Sequence, residues 1–220
     1  MVRPREFDEA TVLDAAMHCF WSKGFEATSV RVLSEEMGIT GTSLYNAFGD
    51  KRSLYRRALS HYLDRSVRER IARLEGSLAP TEAIAAFFAE VIDRSMRDRQ
   101  CKGCMLVNTA LEIAPHDPDM RRFVADELKL IEAFFRRCVE RAQQDGKLAS
   151  TVDAQGLGRL LLGVLLGIRV LARTRPQRAL LEGVARPALE WIGIGGPASA
   201  RSRTPKGRAR SSTRSAGTGR

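Results

Sequence analysis

Apolar side chains recur at three- and four-residue spacing from Val12 to Trp191, and most of the proline and glycine falls between the periodic stretches. That spacing puts one apolar stripe along each of a series of helices. No alternating Val/Ile/Thr run of strand length interrupts it. The fold class this dictates is all-α, with about nine helices packed through their stripes. Asp8 to Lys23 is the first, with Val12, Ala16, Cys19 and Phe20 on one face, and Gly24 ends it. Thr28 or Ser29 caps a short second helix carrying Val30, Leu33 and Met37 inward. Gly38 suits a left-handed turn, and Thr40 caps a third short helix ending near Phe48. After Gly49-Asp50 a long helix runs from Lys51 to about Leu74.

The second half opens at Gly76 to Pro80. Ile84, Phe87, Phe88, Val91 and Ile92 mark one helix, Cys101 to Glu112 a shorter one, and Asp117-Pro118 begins another that reaches about Gln144. Asp153 caps an apolar helix to about Arg173. Pro176 precedes the last, to about Trp191, which Pro187 should kink.

Charge narrows the partners. The chain has 220 residues and a formal net charge of +10, which favours a polyanion. Seven Lys/Arg and no Asp/Glu lie in 197–220, so the other 196 residues net only +3. That tail has no apolar side chain larger than alanine and is expected to be disordered. The first residues lack a signal-peptide core, and the longest apolar run, Leu160 to Ile168, is short of a membrane span, so a cytoplasmic location without a membrane partner is expected. Reduced thiols follow for Cys19, Cys101, Cys104 and Cys138.

Residues 28–48 fit a helix-turn-helix. Val30, Leu33 and Met37 can face Leu44 and Phe48, Gly38 permits the sharp turn, and Ile39 sets the crossing. The third helix then offers solvent Thr40, Gly41, Thr42, Ser43, Tyr45 and Asn46, small or hydrogen-bonding groups suited to the major groove. Arg31, Tyr45, Asn46 and Lys51, with the backbone amides after Thr28, Ser29 and Asp50, suit phosphates. Residues 40–60 net +3, a local positive surface. The alternatives are a helical hairpin with no DNA role and a non-specific basic DNA binder driven by the tail.

Residues 8–64 resemble the DNA-binding domain of the TetR family of bacterial repressors. The likeness rests on Phe20-Trp21-Ser22-Lys23-Gly24-Phe25-Glu26-Ala27-Thr28-Ser29, on Leu33-Ser34-Glu35-Glu36-Met37-Gly38-Ile39, and on Ser43-Leu44-Tyr45-Asn46-Ala47-Phe48-Gly49-Asp50-Lys51. Gly41, Asn46 and Ala47 depart from the family's common residues, so the resemblance does not carry an operator sequence over. It implies that Tyr45, Asn46 and Lys51 meet phosphates and that the start of the third helix meets bases of a double-stranded operator. It also implies a DNA-binding domain at 1–50, a connecting helix at 51–74, an effector-binding and dimerisation domain at 75–194 and a basic tail at 195–220. The regulator it implies is a repressor, homodimeric, with half-sites roughly 34–36 Å apart.

Leu157, Leu160, Leu161, Val164, Leu165, Ile168 and Leu171 form one broad apolar surface, and Gly163 and Gly167 would admit a second helix closely. With Trp191 this surface suits a homodimer interface, or else intrachain core. Cys101-Lys102-Gly103-Cys104, with the stretch to Pro118, is more loosely similar to a subgroup that includes the electrophile-sensing N-ethylmaleimide reductase repressor. Lys102 and a following helix start favour thiolate, which would make Cys101 and Cys104 sensors; buried core packing is the alternative. Cys19 and Cys138 read as core. A zinc site of Cys101, Cys104 and His116, and a thiol-dependent enzyme built on Cys104, are further alternatives. A non-covalent effector would sit among Phe87, Phe88, Met105 and Phe134. No cofactor or metal is expected.

Overall fold

The computed structural model describes residues 7–193. Among them lie α1 (Glu9–Lys23), α2 (Val30–Met37), α3 (Gly41–Phe48), α4 (Lys51–Leu63), α5 (Glu69–Ser77), α6 (Pro80–Arg97), α7 (Met105–Glu112), α8 (Pro118–Gln144), α9 (Ala154–Thr174) and α10 (Arg178–Trp191). No strand occurs among the described residues. A π-helical stretch, Asp64–Arg68, joins α4 to α5 without a break, so the long helix expected from Lys51 is one rod with a wider turn in its middle. The tail lies outside the described residues.

The helix starts are where the side chains put them. Asp8 accepts from Thr11 N at 3.0 Å, Ser29 from Val32 N at 3.2 Å, Thr40 from Ser43 N at 3.1 Å and Asp50 from Ser53 N at 2.6 Å. Each such cap is worth about 1 kcal/mol. Pro80 and Pro118 occupy first turns, where the missing N–H costs nothing. One boundary differs from expectation. Residues 101–104 are not helical: Cys101 and Gly103 have φ of 50° and 72°, and Gly103 N donates to Asp98 Oδ2 at 2.9 Å. The chain therefore turns there, and α7 begins at Met105 with Cys104 at its N-cap.

α1, α2 and α3 pack with the start of α4 around Phe20, Leu33, Leu44 and Phe48, and α5 to α10 form the bundle, all in one continuous core. α9 is long and apolar enough to cross a membrane by length and composition, which the run Leu160–Ile168 alone does not suggest. Here it packs against α6, α8 and α10.

The rod α4 belongs to both halves. Tyr55 Oη donates to Thr109 Oγ1 on α7 at 2.8 Å in a buried contact, because the Thr109 hydrogen is already given to Met105 O at 2.7 Å. Burial pushes the Tyr55 phenol up to about 12, so it stays neutral and donating. Arg52 bridges to Asp117 at 2.5 Å and Asp119 at 2.9 Å at the start of α8, Arg56 lies over the Phe123 ring, and Arg68 pairs with Glu127. Tyr55→Phe is expected to cost about 0.5–1.5 kcal/mol, the net worth of one buried hydrogen bond, with Thr109 still satisfied. Urea unfolding of the full chain measures this; a loss of several kcal/mol would show that the ring position, not the hydroxyl, had changed.

Candidate functional site

α2 and α3 cross through Leu33, Met37, Leu44 and Phe48, all buried. Gly38 makes the turn with φ 64° and ψ 27°, the left-handed region that glycine adopts freely. Ile39 N donates to Ser34 O at 3.1 Å and ties the turn to α2. With its inner face fixed, α3 presents Thr42, Tyr45 and Asn46 to solvent, with Gly41 and Ser43 half-buried beside them. Tyr45 is 52% exposed, an unusual position for an aromatic ring. No charged side chain lies on α3. A Cβ on Gly41 would meet only Ser34 Oγ, at 3.9 Å, so packing does not require this glycine. It leaves the first turn of α3 bare, open to close approach.

Around this face the expected phosphate donors divide. Arg31 is exposed and only loosely paired to Glu35 at 3.3 Å. Ser29 and Thr40 are exposed caps whose helix N-termini face outward. Lys51 is partly occupied: its Nζ donates to Phe25 O at 3.0 Å and lies 4.2 Å from the centre of the Phe25 ring, so it braces the turn between α1 and α2. Thr28 must be withdrawn from the contact residues. It is fully buried, and its Oγ1 donates to Gly24 O at 2.6 Å; Ser29 alone caps α2. The local positive charge of 40–60 is also largely consumed inside the molecule. Arg52 and Arg56 face α8, and Arg57 pairs with Glu9 and stacks on Phe48. That consumption has no sequence signal, since the acidic partners lie up to 67 residues away.

The expected interface on α9 needs a similar correction. Leu157, Leu161, Leu165 and Ile168 are buried within the chain, against α8 and α6. They are intrachain core. On α9 Leu160 is instead 44% exposed, with Val164 and Leu171 half-buried against the core and Gly163 and Gly167 near them; a Cβ built on either glycine would meet open space. On α10 Trp191 is 76% exposed and Val184 is half-buried.

The residues expected to line an effector pocket are likewise packed. Phe87, Phe88 and Phe134 are buried against one another and Phe135, with Phe87 and Phe134 centroids 5.3 Å apart. They share no single cavity: Phe87 lines a space of about 20 Å³, and Phe88 lines a separate recess of about 260 Å³ with Ile92 and Leu189. Met105 faces a separate recess beside Phe20 and Tyr55. The structure does not bring the four around one cavity.

Residues 12–58 match the profile of bacterial regulatory proteins of the tetR family, and residues 80–187 match that of the tetracyclin repressor-like C-terminal domain. The chain is 33% identical over 174 residues to the uncharacterized HTH-type transcriptional regulator YezE of Bacillus subtilis (strain 168), covering 79% of this chain and 90% of that protein. The chain belongs to the tetR family. It is a DNA-binding transcriptional regulator, and the family's members are regulators rather than enzymes, which leaves the Cys104 enzyme reading without support. The HTH-type transcriptional repressor ComR of Escherichia coli (strain K12) is 28% identical over 172 residues, 78% of this chain and 82% of that protein. Among solved structures, a cysteine-substituted TetR family regulator CifR, complexed with 26bp double-strand operator DNA, is 37% identical with a TM-score of 0.76, over 86% of this chain and 98% of that one. The reduced form of E. coli NemR shares the fold, with a TM-score of 0.71 at 18% identity over 83% of this chain and 93% of that one.

The thiols sort by position within this family fold. Cys19 and Cys138 are buried core, as their place on apolar stripes implies, and burial raises both, Cys138 to about 12. Cys104 is buried too, beside the Tyr62 hydroxyl at 3.8 Å. Cys101 is half-buried in the loop before α7. The Lys102 ammonium sits 4.6 Å from the centre of the Trp21 ring, and Cys101 stands outside any helix start. Among the described residues no three His, Cys, Asp or Glu side chains gather as a metal site, so the zinc alternative has no assembled ligand set. Timed alkylation of the native protein with iodoacetamide at pH 8, read by peptide mass spectrometry, should label Cys101 first and Cys138 last. Thiolate at Cys138 would then be about one part in ten thousand; early labelling of Cys138 would contradict its burial.

Proposed function

We propose that the protein is a homodimeric repressor that reads a twofold-related operator through α3. In this reading Thr40, Gly41, Thr42 and Ser43 approach base edges, while Tyr45, Asn46, Arg31, Lys51 and the amide end of α2 at Ser29 hold phosphates. The single observation that carries it is the uncharged, exposed face of α3 on a buried and capped helix-turn-helix. A helix without a partner gains from Lys and Glu on such a face; one that enters the major groove gains from short hydrogen-bonding groups. Similarity to a regulator solved with operator DNA supports the same surface.

Dimerisation falls to the outward face of α9 and α10. Leu160 and Trp191 are apolar groups that a monomer would leave in water, with Val164 and Leu171 half-buried, and Gly163 and Gly167 allow a partner's backbone close. Two copies joined there set the distance between the two α3 helices. Release follows when a small molecule in the bundle, or modification of Cys101, favours a dimer whose spacing no longer matches the half-sites. A repressor of this kind works in the cytoplasm, where the DNA is.

The test begins with operator fragments selected from the source genome. A Thr42/Ser43/Tyr45 triple alanine variant should lose discrimination between operator and random duplex, by on the order of 1–3 kcal/mol for each good base contact removed. Equal preference in wild type and variant, measured by fluorescence anisotropy, would end the assignment. Leu160→Glu should separate the dimer without unfolding the chain, because that side chain is 44% exposed. Sedimentation should then show a monomer, and operator affinity should fall by orders of magnitude as half-sites are bound singly. A dimer that persists would place the interface elsewhere.

A further inference from the structure

Two arginines are shut inside the bundle with too little negative charge around them. Arg70 on α5 and Arg169 on α9 are 9% and 8% exposed. Both line one cavity of about 20 Å³ whose other walls include Phe87, Leu128, Ile131 and Leu165. Arg169 reaches Ser95 Oγ at 3.4 Å. Arg70 donates Nε to Glu90 at 3.1 Å, but Glu90 is shared with Arg73 at 2.7 Å. Arg70 Nη1 is buried with no hydrogen-bond partner. A third guanidinium, Arg94, stands over the Tyr62 ring at 5.6 Å. The nearby Tyr62 hydroxyl is pushed up to about 12 by burial and is therefore neutral, and burial together with Arg169 holds Arg70 below the usual arginine range.

Removing a guanidinium from water without a counter-charge is costly, and placing a second one beside it costs more. Fully satisfied cores do not leave a donor of this strength unmatched. The approach to the cavity has the same sign. A second space of about 20 Å³ is lined by Arg94, Ser95, Asp98 and Arg169, and an open recess of about 380 Å³ beyond it by Arg94, Arg97, Arg99 and Lys102, again with Asp98. Asp98 is occupied with Gly103 N. Cationic groups thus run from solvent to the interior, and the interior ends in apolar walls.

We infer that this cavity is the site of an anionic effector, the carboxylate of a small organic acid held between Arg70 Nη1 and Arg169 with its apolar body against Phe87, Leu128 and Ile131. The inference rests on the effector role proposed above for the bundle and names the ligand's chemistry. A carboxylate suits the flat guanidinium fork and brings one negative charge. A phosphate dianion would need more donors than the apolar walls provide. The cavity as it stands has room for about a water, so an acid with an apolar body must part α5, α8 and α9. Ligand binding and rearrangement of the bundle are then one event.

The test uses the full chain and three probes, octanoate, benzoate and phenylacetate, with octanamide and benzamide as neutral controls. Calorimetry should detect at least one acid binding, with its amide failing to bind. Arg70→Met and Arg169→Met keep the side-chain volume and remove the charge. Each should weaken the acid about tenfold to a hundredfold, as loss of a charge-assisted hydrogen bond predicts. Each should melt no lower than wild type without ligand, because one of two like charges is gone. Should either variant fail to fold, Arg169→Lys keeps the charge without the fork and should still weaken the acid. Binding of none of the three acids, equal binding of the amides, or unchanged binding in folded variants would overturn the site. Operator anisotropy is read separately. Acid that binds through Arg70 and Arg169 but leaves operator affinity unchanged upholds the site and overturns its effector role, whereas an operator never bound in the first place tells against the repressor reading alone.

Discussion

The helix that runs through α4, the π-helical stretch and α5 is the constraint on which the rest of the molecule depends. Its first turns are core for the DNA-reading half, through Leu54, Ala58 and Leu59, and its later turns are core for the bundle, through Val67, Ile71 and Leu74. A rod built into both ends of one continuous core transmits displacement, because neither end can move without repacking. The wider turn at Asp64–Arg68 falls between those ends. There Arg68 gathers Asp64, Glu127 and Ser60, and Ser66 Oγ donates to Tyr62 O at 2.6 Å. A π-type turn offers the backbone a second hydrogen-bond register at small cost, which is why such turns mark places where helices adjust.

The seam beside this rod is polar where the core on either side of it is not. Tyr55 with Thr109, Arg52 with Asp117 and Asp119, and Arg56 over Phe123 are directional contacts between few groups. Directional contacts can be exchanged for water or for a neighbouring acceptor as a set, whereas interdigitated aromatics such as Phe87, Phe88, Phe134 and Phe135 resist any small shift. Exposed ion pairs add little to stability in any case. Their role at such a seam is to define an angle between the halves, and one angle can give way to another for the 1–3 kcal/mol that coupling between sites commonly involves, about 5- to 150-fold in affinity.

Much of this was legible from residue types alone. The cap at Thr40, the turn at Gly49-Asp50, the left-handed Gly38 and the inner faces of α2 and α3 follow from local chemistry, and local chemistry survives in any tertiary setting. The failures share one cause. Thr28 and Ser29 are both competent caps, and only packing decides that the Thr28 methyl turns inward. α9 is apolar nearly all round, so its periodicity does not say which stripe meets α8 and which is left for a partner. Phe87, Phe88 and Phe134 are large and apolar, which suits them equally to line a cavity or to pack on one another, and only the fold separates Phe87 and Phe88, which do both, from Phe134. Arg70 and Arg169 carried no signal, since arginine at helical spacing ordinarily marks a solvated face.

The location of the buried arginines joins these threads. Arg169 and Arg94 flank Tyr62, and Tyr62 stands two helical turns from Tyr55 on the same rod. Tyr62 also contacts Trp21 edge-on, with centroids 5.1 Å apart, and Trp21 belongs to α1, which packs on α2. Charge arriving near Arg169 would therefore act on groups that touch the DNA-reading half directly, with no long relay between. The Trp21 indole N–H is itself buried without a hydrogen-bond partner, an unsatisfied donor at a ring that meets Tyr62 on α4 and Lys102 in the loop before α7. An arrangement that satisfied it would compete with the present one, and an equilibrium between two such arrangements is what an effector needs in order to have anything to select.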